Sequence, residues 1–227
     1  YFFQIQKQKP KIKLLGGNIY KLDIVNGKCA SFEDDNIKIR NITAEDSDKF
    51  KESNFKNSDD LVLDINSIFL NSGIVVRVKT NSKIIINISH NTKKNFTIFQ
   101  HNFFYFEKNC DVVIEESFDF NDNTINNIQY NFQLDTGSNV VHNIFQNFSK
   151  SNKLYLTSNT SCQKDSSFQQ HSFNFAEGFV RNFHQTQLNG EFSKAILKGA
   201  FFLKNTNSCS NKTLIHHNAE NCTSDQT

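Results

Sequence analysis

The sequence contains no tryptophan, no methionine and one proline, and it has no long apolar run. No apolar stretch approaches the roughly 20 residues that a membrane-spanning helix needs, so we expect no membrane association. The chain begins at Tyr1 rather than at methionine and ends without a capping element, which favours an excerpt of a longer protein. A leader peptide is not visible in it.

Cysteine pairs and nucleotide-binding loops are also missing. The cysteines are odd in number, widely spaced and without a CxxC pair: Cys29, Cys110, Cys162, Cys209 and Cys222. This pattern argues against a disulfide framework and predicts a reducing, cytoplasmic compartment. Neither GxxxxGK[ST] nor GxGxxG occurs, so we do not expect the chain itself to bind and hydrolyse nucleotides.

The sequence also has no large excess of either positive or negative charge. The formal net charge is +2, and the densest basic stretch is KQKPKIK at Lys7–Lys13. That stretch is short and contains no aromatic side chain on which a base could stack, so a solvated strand is favoured over a nucleic-acid site.

From residue 61 onward the sequence is typical of strands. Segments such as KIIINIS and NVVHNIFQNF are β-branched and aromatic, and many alternate apolar with polar residues. Polar turns recur about every 25 to 28 residues, an interval typical of solenoid repeats. We therefore predict an all-β fold, a parallel β-helix (β-solenoid) that is nearly all strand from residue 61 onward, and keep a β-sandwich as the structural alternative. Six phenylalanines are expected to stack in its interior: Phe173, Phe175, Phe183, Phe192, Phe201 and Phe202.

Residues 1–60 differ from the rest and are predicted to be a short irregular segment that leads into a core of residues 61–227. KLDIVNGKCASF predicts a hairpin about an Asn26–Gly27 turn. The following stretch, residues 42–60, is polar and predicts a surface loop or a frayed helix.

Acidic side chains are candidates for catalysis, because a solenoid that cleaves polysaccharide needs converging carboxylates. The nearest set is Glu115, Glu116, Asp119 and Asp122. Glu115 and Asp119 share a face in a strand, but no second acidic cluster follows one repeat later. A solvated outer face is the favoured interpretation.

Histidine and cysteine are the other candidates. The histidines His90, His101, His142, His171, His184, His216 and His217 show no HxH or HExxH spacing. We expect His171 and His184 to be neighbours across coils, or polar members of an outer ladder. Cys222 closely follows His216 and His217, which makes it the best candidate for a nucleophile or metal ligand, although a small buried thiol near a satisfied imidazole is the commoner arrangement.

Residues 168–226 carry motifs that resemble the SufB/SufD family of the SUF iron–sulfur cluster assembly scaffold. They are G-x-x-R, Q-L-N-G and H-N-x-x-x-C-x-S-x-Q, and their residues are Gly178, Arg181, Gln187, Leu188, Asn189, Gly190, His217, Asn218, Cys222, Ser224 and Gln226. DIVNGK and VVIEESFDFND resemble further family segments more loosely. Q-L-N-G and H-N-x-x-x-C favour the SufD branch over SufB.

The resemblance implies a right-handed parallel β-helix and a non-enzymatic scaffold in a SufBCD complex. The partners it implies are SufB, which would pair through the β-helix edge, and the SufC ATPase. The nascent cluster would form at the SufB–SufD interface. The family's C-x-H-G-A-T segment and its C-terminal helices, which dock SufC, are not in this sequence, so no cofactor or metal ligand is carried over; Cys222 and His217 remain minor metal candidates.

The chemistry of these residue types predicts structural roles for several residues in and near the motifs. Arg181 is expected to hold turn carbonyls or an outer carboxylate. Gly178, Gly190 and Gly199 are expected at coil corners, with positive φ or a close approach, and Gln187 and Asn189 in amide ladders. Two other classes stay open as alternatives: a secreted β-helix polysaccharide lyase or hydrolase, and a β-solenoid surface protein.

Overall fold

A computed structural model describes residues 9–46, 61–203 and 207–227. Within these ranges the chain forms the helix α1 (Leu61–Phe69), a short helical stretch at residues 44–46 and sixteen strands. The strands are β1 (Lys11–Leu14), β2 (Ile19–Val25), β3 (Phe32–Glu33), β4 (Ile37–Asn41), β5 (Ile74–Val78), β6 (Lys83–Thr92), β7 (Thr97–Phe106), β8 (Asp111–Phe120), β9 (Ile125–Leu134), β10 (Asn139–Gln146), β11 (Lys153–Cys162), β12 (Ser167–Asn174), β13 (Phe179–Leu188), β14 (Lys194–Phe201), β15 (Ser208–His217) and β16 (Thr223–Gln226).

The strands build a parallel β-solenoid of about 5 turns, which confirms the predicted fold class. The strands form two sheets of eight, with orders β1-β2-β6-β8-β10-β12-β14-β16 and β15-β13-β11-β9-β7-β5-β4-β3, and from β5 onward consecutive strands alternate between them. Pairing is parallel from β2 and β5 onward, and antiparallel only at β1–β2, β3–β4 and β4–β5. Each coil therefore stacks directly on the preceding one.

Coil length is set at the corners. Asn81 and Asn109 lie 28 residues apart, both have positive φ, and the Asn109 side-chain amide donates to the Asn81 side-chain oxygen over 3.2 Å. Asparagine tolerates the left-handed conformation better than most residues, so it suits a corner that recurs in every coil. The later coils vary: Lys153 pairs with Phe179 and Phe179 with Ser208, which makes them 26 and 29 residues long.

The core lies between the two sheets and is filled by inward side chains from alternate positions of each strand. Three rings connect successive coils across the interior: the centroids of Phe104 and Phe132 are 5.1 Å apart, and those of Phe132 and Phe168 are 5.3 Å apart. The predicted column of six phenylalanines is wrong, because none of the six belongs to the core cluster. Phe175, Phe192, Phe201 and Phe202 are more than half exposed, Phe173 stacks on Phe145 outside, and Phe183 is buried outside the cluster.

The helix α1 is the exception to the nearly all-strand pattern predicted from residue 61 onward, and it packs against β7 and β9. Its Asn66 side chain donates to the Asn127 carbonyl over 2.8 Å, and the Asn127 side chain donates to the Val62 carbonyl over 3.0 Å. These paired amides hold residues 61–69 against the solenoid as a helix, although the apolar residues of this segment alone would also suit a strand. Among the described residues no helix is long and apolar enough to cross a membrane.

The N-terminal strands extend both sheets, since β2 pairs with β6 and β4 with β5. The Asn26–Gly27 turn is present with positive φ at both residues, but only one bridge, Val25 to Lys28, follows it. The predicted hairpin is therefore confirmed only at its closing pair, because no strand continues from Lys28; β2 pairs antiparallel with β1 and parallel with β6. Most of the predicted polar loop, residues 47–60, lies outside the described residues.

Candidate functional site

The family-motif residues occupy the last two coils. Arg181, Gln187 and Leu188 are on β13, His217 ends β15, and Ser224 and Gln226 are on β16. Leu188 is fully buried in the core, whereas β16 is exposed throughout. The motif residues therefore follow the solenoid wall instead of converging on one point.

His217 and Cys222 have different hydrogen-bond partners. The His217 Nε2 atom is 2.9 Å from the Ser224 hydroxyl, and the Cys222 thiol donates to the Gly190 carbonyl over 3.4 Å. The Cys222 sulfur is also 3.3 Å from the Ser193 hydroxyl. Across residues 9–46, 61–203 and 207–227, no three histidine, cysteine or acidic side chains are grouped to hold a metal ion. The Cys222 thiol thus bonds to a corner of the preceding coil.

The Q-L-N-G corner holds neighbouring coils together. The Asn189 amide donates to the Ser161 hydroxyl over 2.9 Å, and the Asn218 amide donates to the Asn189 oxygen over 2.8 Å. A Cβ on Gly190 would lie 1.9 Å from the Lys164 backbone nitrogen. These contacts form the amide ladder and the close approach that the motif predicts at this corner.

The other two glycines expected at corners, Gly178 and Gly199, differ from each other. A Cβ on Gly178 would lie 2.3 Å from the carbonyl oxygen of Asn152, so this position also requires a close approach. A Cβ on Gly199 would meet its nearest atom, the Ser172 carbonyl oxygen, only at 4.0 Å. Neither has a φ in the left-handed range. The expected corner role for Gly199 is therefore wrong, since it lies within β14 with room for a side chain.

The acidic candidates separate to opposite faces of the sheet. Glu115 and Asp119 point outward from β8 and are exposed, and Asp122, also exposed, accepts a hydrogen bond from the Ser149 hydroxyl. Glu116 points inward and has no exposed surface. Adjacent strand residues face opposite sides, so the four carboxylates cannot act together.

Glu116 is the centre of a buried polar cluster. Its Oε1 atom is 2.6 Å from His90 Nε2, and its Oε2 atom is 2.8 Å from His142 Nε2. The Tyr130 hydroxyl donates to Oε1 over 2.5 Å. The three partners come from β6, β10 and β9, so the cluster joins three coils and both sheets.

The hydrogen bonds decide the ionisation of this carboxylate. Burial by itself raises the pKa of Glu116, but the hydrogen bonds from His142 and His90 hold that pKa below its ordinary value. The carboxylate is therefore ionised inside the solenoid. The same burial, with the neighbouring Glu116 charge, raises the pKa of Tyr130 well above its ordinary value, so Tyr130 remains a donor.

A chain of polar side chains leads from this cluster toward the last coil. The Gln170 amide nitrogen is 3.1 Å from His142 Nδ1, and the Ser158 hydroxyl donates to the Gln170 oxygen over 3.4 Å. His184 Nδ1 is 2.8 Å from the Ser158 oxygen. His184 lies inside, whereas His171 bonds to Asn143 on the outer face, so the expected contact between these two histidines is wrong.

His184 lines a cavity of about 310 Å³ at the last coil. Leu197 and Phe201 contribute apolar surface, and the Thr213 hydroxyl donates to the Gln226 oxygen over 3.0 Å at its wall. His184 Nε2 is buried and has no hydrogen-bond partner.

The sequence contains a signal for this cluster, which is the spacing of the histidines. The interpretation of the acidic residues as a solvated outer face missed that signal. His90 and His142 each lie 26 residues from Glu116, close to one coil length on either side. Glu116 also lies between the buried Ile114 and Phe118 in strict alternation, which assigns it to the inner face. Charged residues at inward positions therefore indicate this kind of site in a solenoid.

The cysteines are not arranged for metal binding. All five cysteines are free, and burial raises the pKa of Cys162 to about 12. A thiol with such a pKa is protonated near neutral pH and is a poor metal ligand.

Comparison with known proteins identifies the family. A family model described as SUF system FeS cluster assembly, SufBD core domain, matches residues 87–227, which include β7 to β16 and the buried cluster from His90 onward. A search of curated proteins finds no match. The family match agrees with the resemblance in the last two coils and with the parallel solenoid. The chain belongs to the SufBD core-domain family of the SUF iron–sulfur cluster assembly system.

Proposed function

We propose that this chain is the solenoid core of a SufD-type subunit, a non-enzymatic cytoplasmic scaffold that works in a SufBCD complex. The observation that carries the proposal is the family match over residues 87–227. The Q-L-N-G and H-N-x-x-x-C motifs favour SufD over SufB. Buried free cysteines such as Cys29, Cys110 and Cys162 suit a reducing compartment.

SufB is the proposed partner at the last coil. β15 and β16 are the outermost strands of their sheets, so each has one edge without a paired strand among the described residues. Such edges present backbone donors and acceptors that a partner strand can use. The nascent cluster would form at this interface as the cargo of the complex, and SufC would dock on a region outside this sequence.

The first experiment is co-purification of the full-length protein with SufB and SufC, followed by iron and sulfide analysis after anaerobic reconstitution. A complex of all three, with a cluster only when SufB is present, is the expected result. A protein that binds neither partner would refute the proposal.

A proline variant tests the proposed edge. The Thr223 and Thr227 amides donate to β14, so strand alternation directs the Ser224 amide away from β14. Ser224→Pro removes that outward donor and is expected to weaken SufB binding at least tenfold. Leu14→Pro is the matched control on β1, at the opposite edge of the same sheet, and should leave SufB binding unchanged. Equal effects of both variants would argue against pairing at the last coil.

A further inference from the structure

The helix α1 presents an apolar side to solvent. Asn66 is buried and faces the sheet, where its side chain donates to the Asn127 carbonyl. Leu61, Ile65 and Ile68 are spaced four and three residues apart, so they form one stripe on the other side of the helix. Leu61 and Ile68 are 69% and 73% exposed, and Ile65 is half-buried. The helix is therefore attached to the solenoid by amides and leaves its apolar stripe exposed.

An apolar floor lies beside α1 on the same face of the sheet. Ile125 is two residues before Asn127 on β9, and Tyr155 of β11 pairs with Asn127, so both side chains point to the side that carries α1. Phe179 follows on β13, and its ring centroid is 5.2 Å from that of Tyr155. Ile125 is 39% exposed, and Tyr155 and Phe179 are half-buried. The face thus combines a protruding apolar helix with an apolar floor.

The same face carries one exposed charge of each sign. Asp64 lies on α1 beside the stripe, four residues before Ile68. Lys153 lies on the floor, where its strand position pairs with Ile125 on one side and Phe179 on the other. Among the described residues of the chain, neither Asp64 nor Lys153 forms an ion pair. Each charge is therefore available to a group outside the chain.

These features favour a second copy of the chain as the occupant of the face. A two-fold symmetric interface uses the same patch on both subunits, so the patch must complement itself. Here the acidic helix of one copy fits the basic floor of the other. An anionic lipid surface would repel Asp64. The stripe and floor offer on the order of 600 Å² per copy, somewhat less than a stable interface uses, so a weak and reversible dimer is expected.

We propose that two copies of the chain associate through this face about a two-fold axis. The α1 stripe of each copy packs on Ile125, Tyr155 and Phe179 of the other copy. Asp64 of each copy pairs with Lys153 of the other. The face lies over β7, β9, β11 and β13 and does not include the outer edges of β15 and β16. The association therefore leaves the proposed SufB edge free and does not depend on the proposed function.

Analytical ultracentrifugation of the full-length protein over about 1 to 200 µM tests the association. We expect a monomer–dimer equilibrium. Ile68→Asp places a charge in the stripe and should weaken the dimer at least about tenfold. Phe192→Asp is the matched control, since it makes a similar change at a side chain that is 55% exposed on a distant corner, and it should leave the equilibrium unchanged. A protein that stays monomeric, or a dimer that Ile68→Asp does not weaken, would overturn the proposal.

A charge exchange tests the proposed arrangement of the two copies. Asp64→Lys and Lys153→Asp each bring like charges together, so each variant alone should dimerise about threefold more weakly. A mixture of the two variants should recover the association of the parent, because both contacts in the mixed dimer again join a lysine and an aspartate. An effect of either variant on its own fold would not be reversed by mixing. A mixture that associates no better than the separate variants would refute the pairing of Asp64 with Lys153.

Discussion

The Tyr130→Phe substitution tests whether Glu116 is an ionised carboxylate that depends on three donors. Tyr130 donates to Glu116 over 2.5 Å, and its ring stacks on Phe132 with centroids 5.6 Å apart. Phenylalanine retains the ring and its packing and removes only the hydroxyl. The change in stability therefore reports on the contacts of the hydroxyl, which lies 2.5 Å from Glu116 Oε1 and 3.3 Å from His90 Nε2.

The expected loss follows from the charge of the acceptor. A hydrogen bond to a charged group contributes about 1.5 to 3 kcal/mol, more than a neutral one. Glu116 is fully buried, so water cannot replace the lost donor. We expect Tyr130→Phe to lower the free energy of unfolding by about 2 kcal/mol, and the melting temperature by about 4 to 8 °C for a chain of this size.

Urea and thermal denaturation of both proteins measure the effect. Tyr155→Phe is the matched control, since that ring is half-buried against Phe179 on the outer face, and it should cost less than about 0.5 kcal/mol. In a Glu116→Gln background the cost of Tyr130→Phe should shrink, because the acceptor is no longer charged. A Tyr130→Phe protein as stable as the parent would refute the three-donor carboxylate.

Three further predictions concern the corners, the buried histidines and the buried thiols. Gly190→Ala would place Cβ 1.9 Å from backbone and should cost more than about 2 kcal/mol in thermal melts, whereas Gly199→Ala, with 4.0 Å of room, should be nearly neutral. Burial lowers the pKa of His101 and His184 to about 3, so the unfolded state binds more protons between about pH 6.5 and 3. Stability should be full above that window and fall as the pH drops through it, and a pH-independent midpoint in urea would contradict this. Burial raises the pKa of Cys162 to about 12, so iodoacetamide at pH 8 should label it only after unfolding, as mass spectrometry would show.

The fold class could be predicted because the sequence shows both the coil length and the alternation of apolar and polar residues along each strand. Polar corners such as Asn81 and Asn109 recur at the coil interval, and the alternating segments between them became strands. The helix α1 could not be predicted in the same way. Its residues favour a strand as much as a helix, and the deciding contacts, those of Asn66 with Asn127, come from a strand about 60 residues later.

The inner and outer faces were harder to predict than the strands. Phenylalanine occurs on both faces of this solenoid, and coils of 26 and 29 residues shift the alternation at the corners. Phe175 and Phe201 were therefore assigned inward although both are more than half exposed. Glu116 was grouped with Glu115 by adjacency, because contacts with His90 and His142 depend on stacking that a single strand does not reveal.

The buried cluster has a consequence for how the chain avoids misfolding. Coils of similar length with apolar interiors can stack in the wrong order, since one leucine or isoleucine layer resembles the next. A slip that placed β8 beside β12 would separate Glu116 from His142 and leave the buried carboxylate without one of its three donors, which typically costs about 1.5 to 3 kcal/mol. Glu116 thus favours the native order of the coils over misaligned stacking. Its removal should increase the fraction of misfolded chains during refolding, while the native structure should change little.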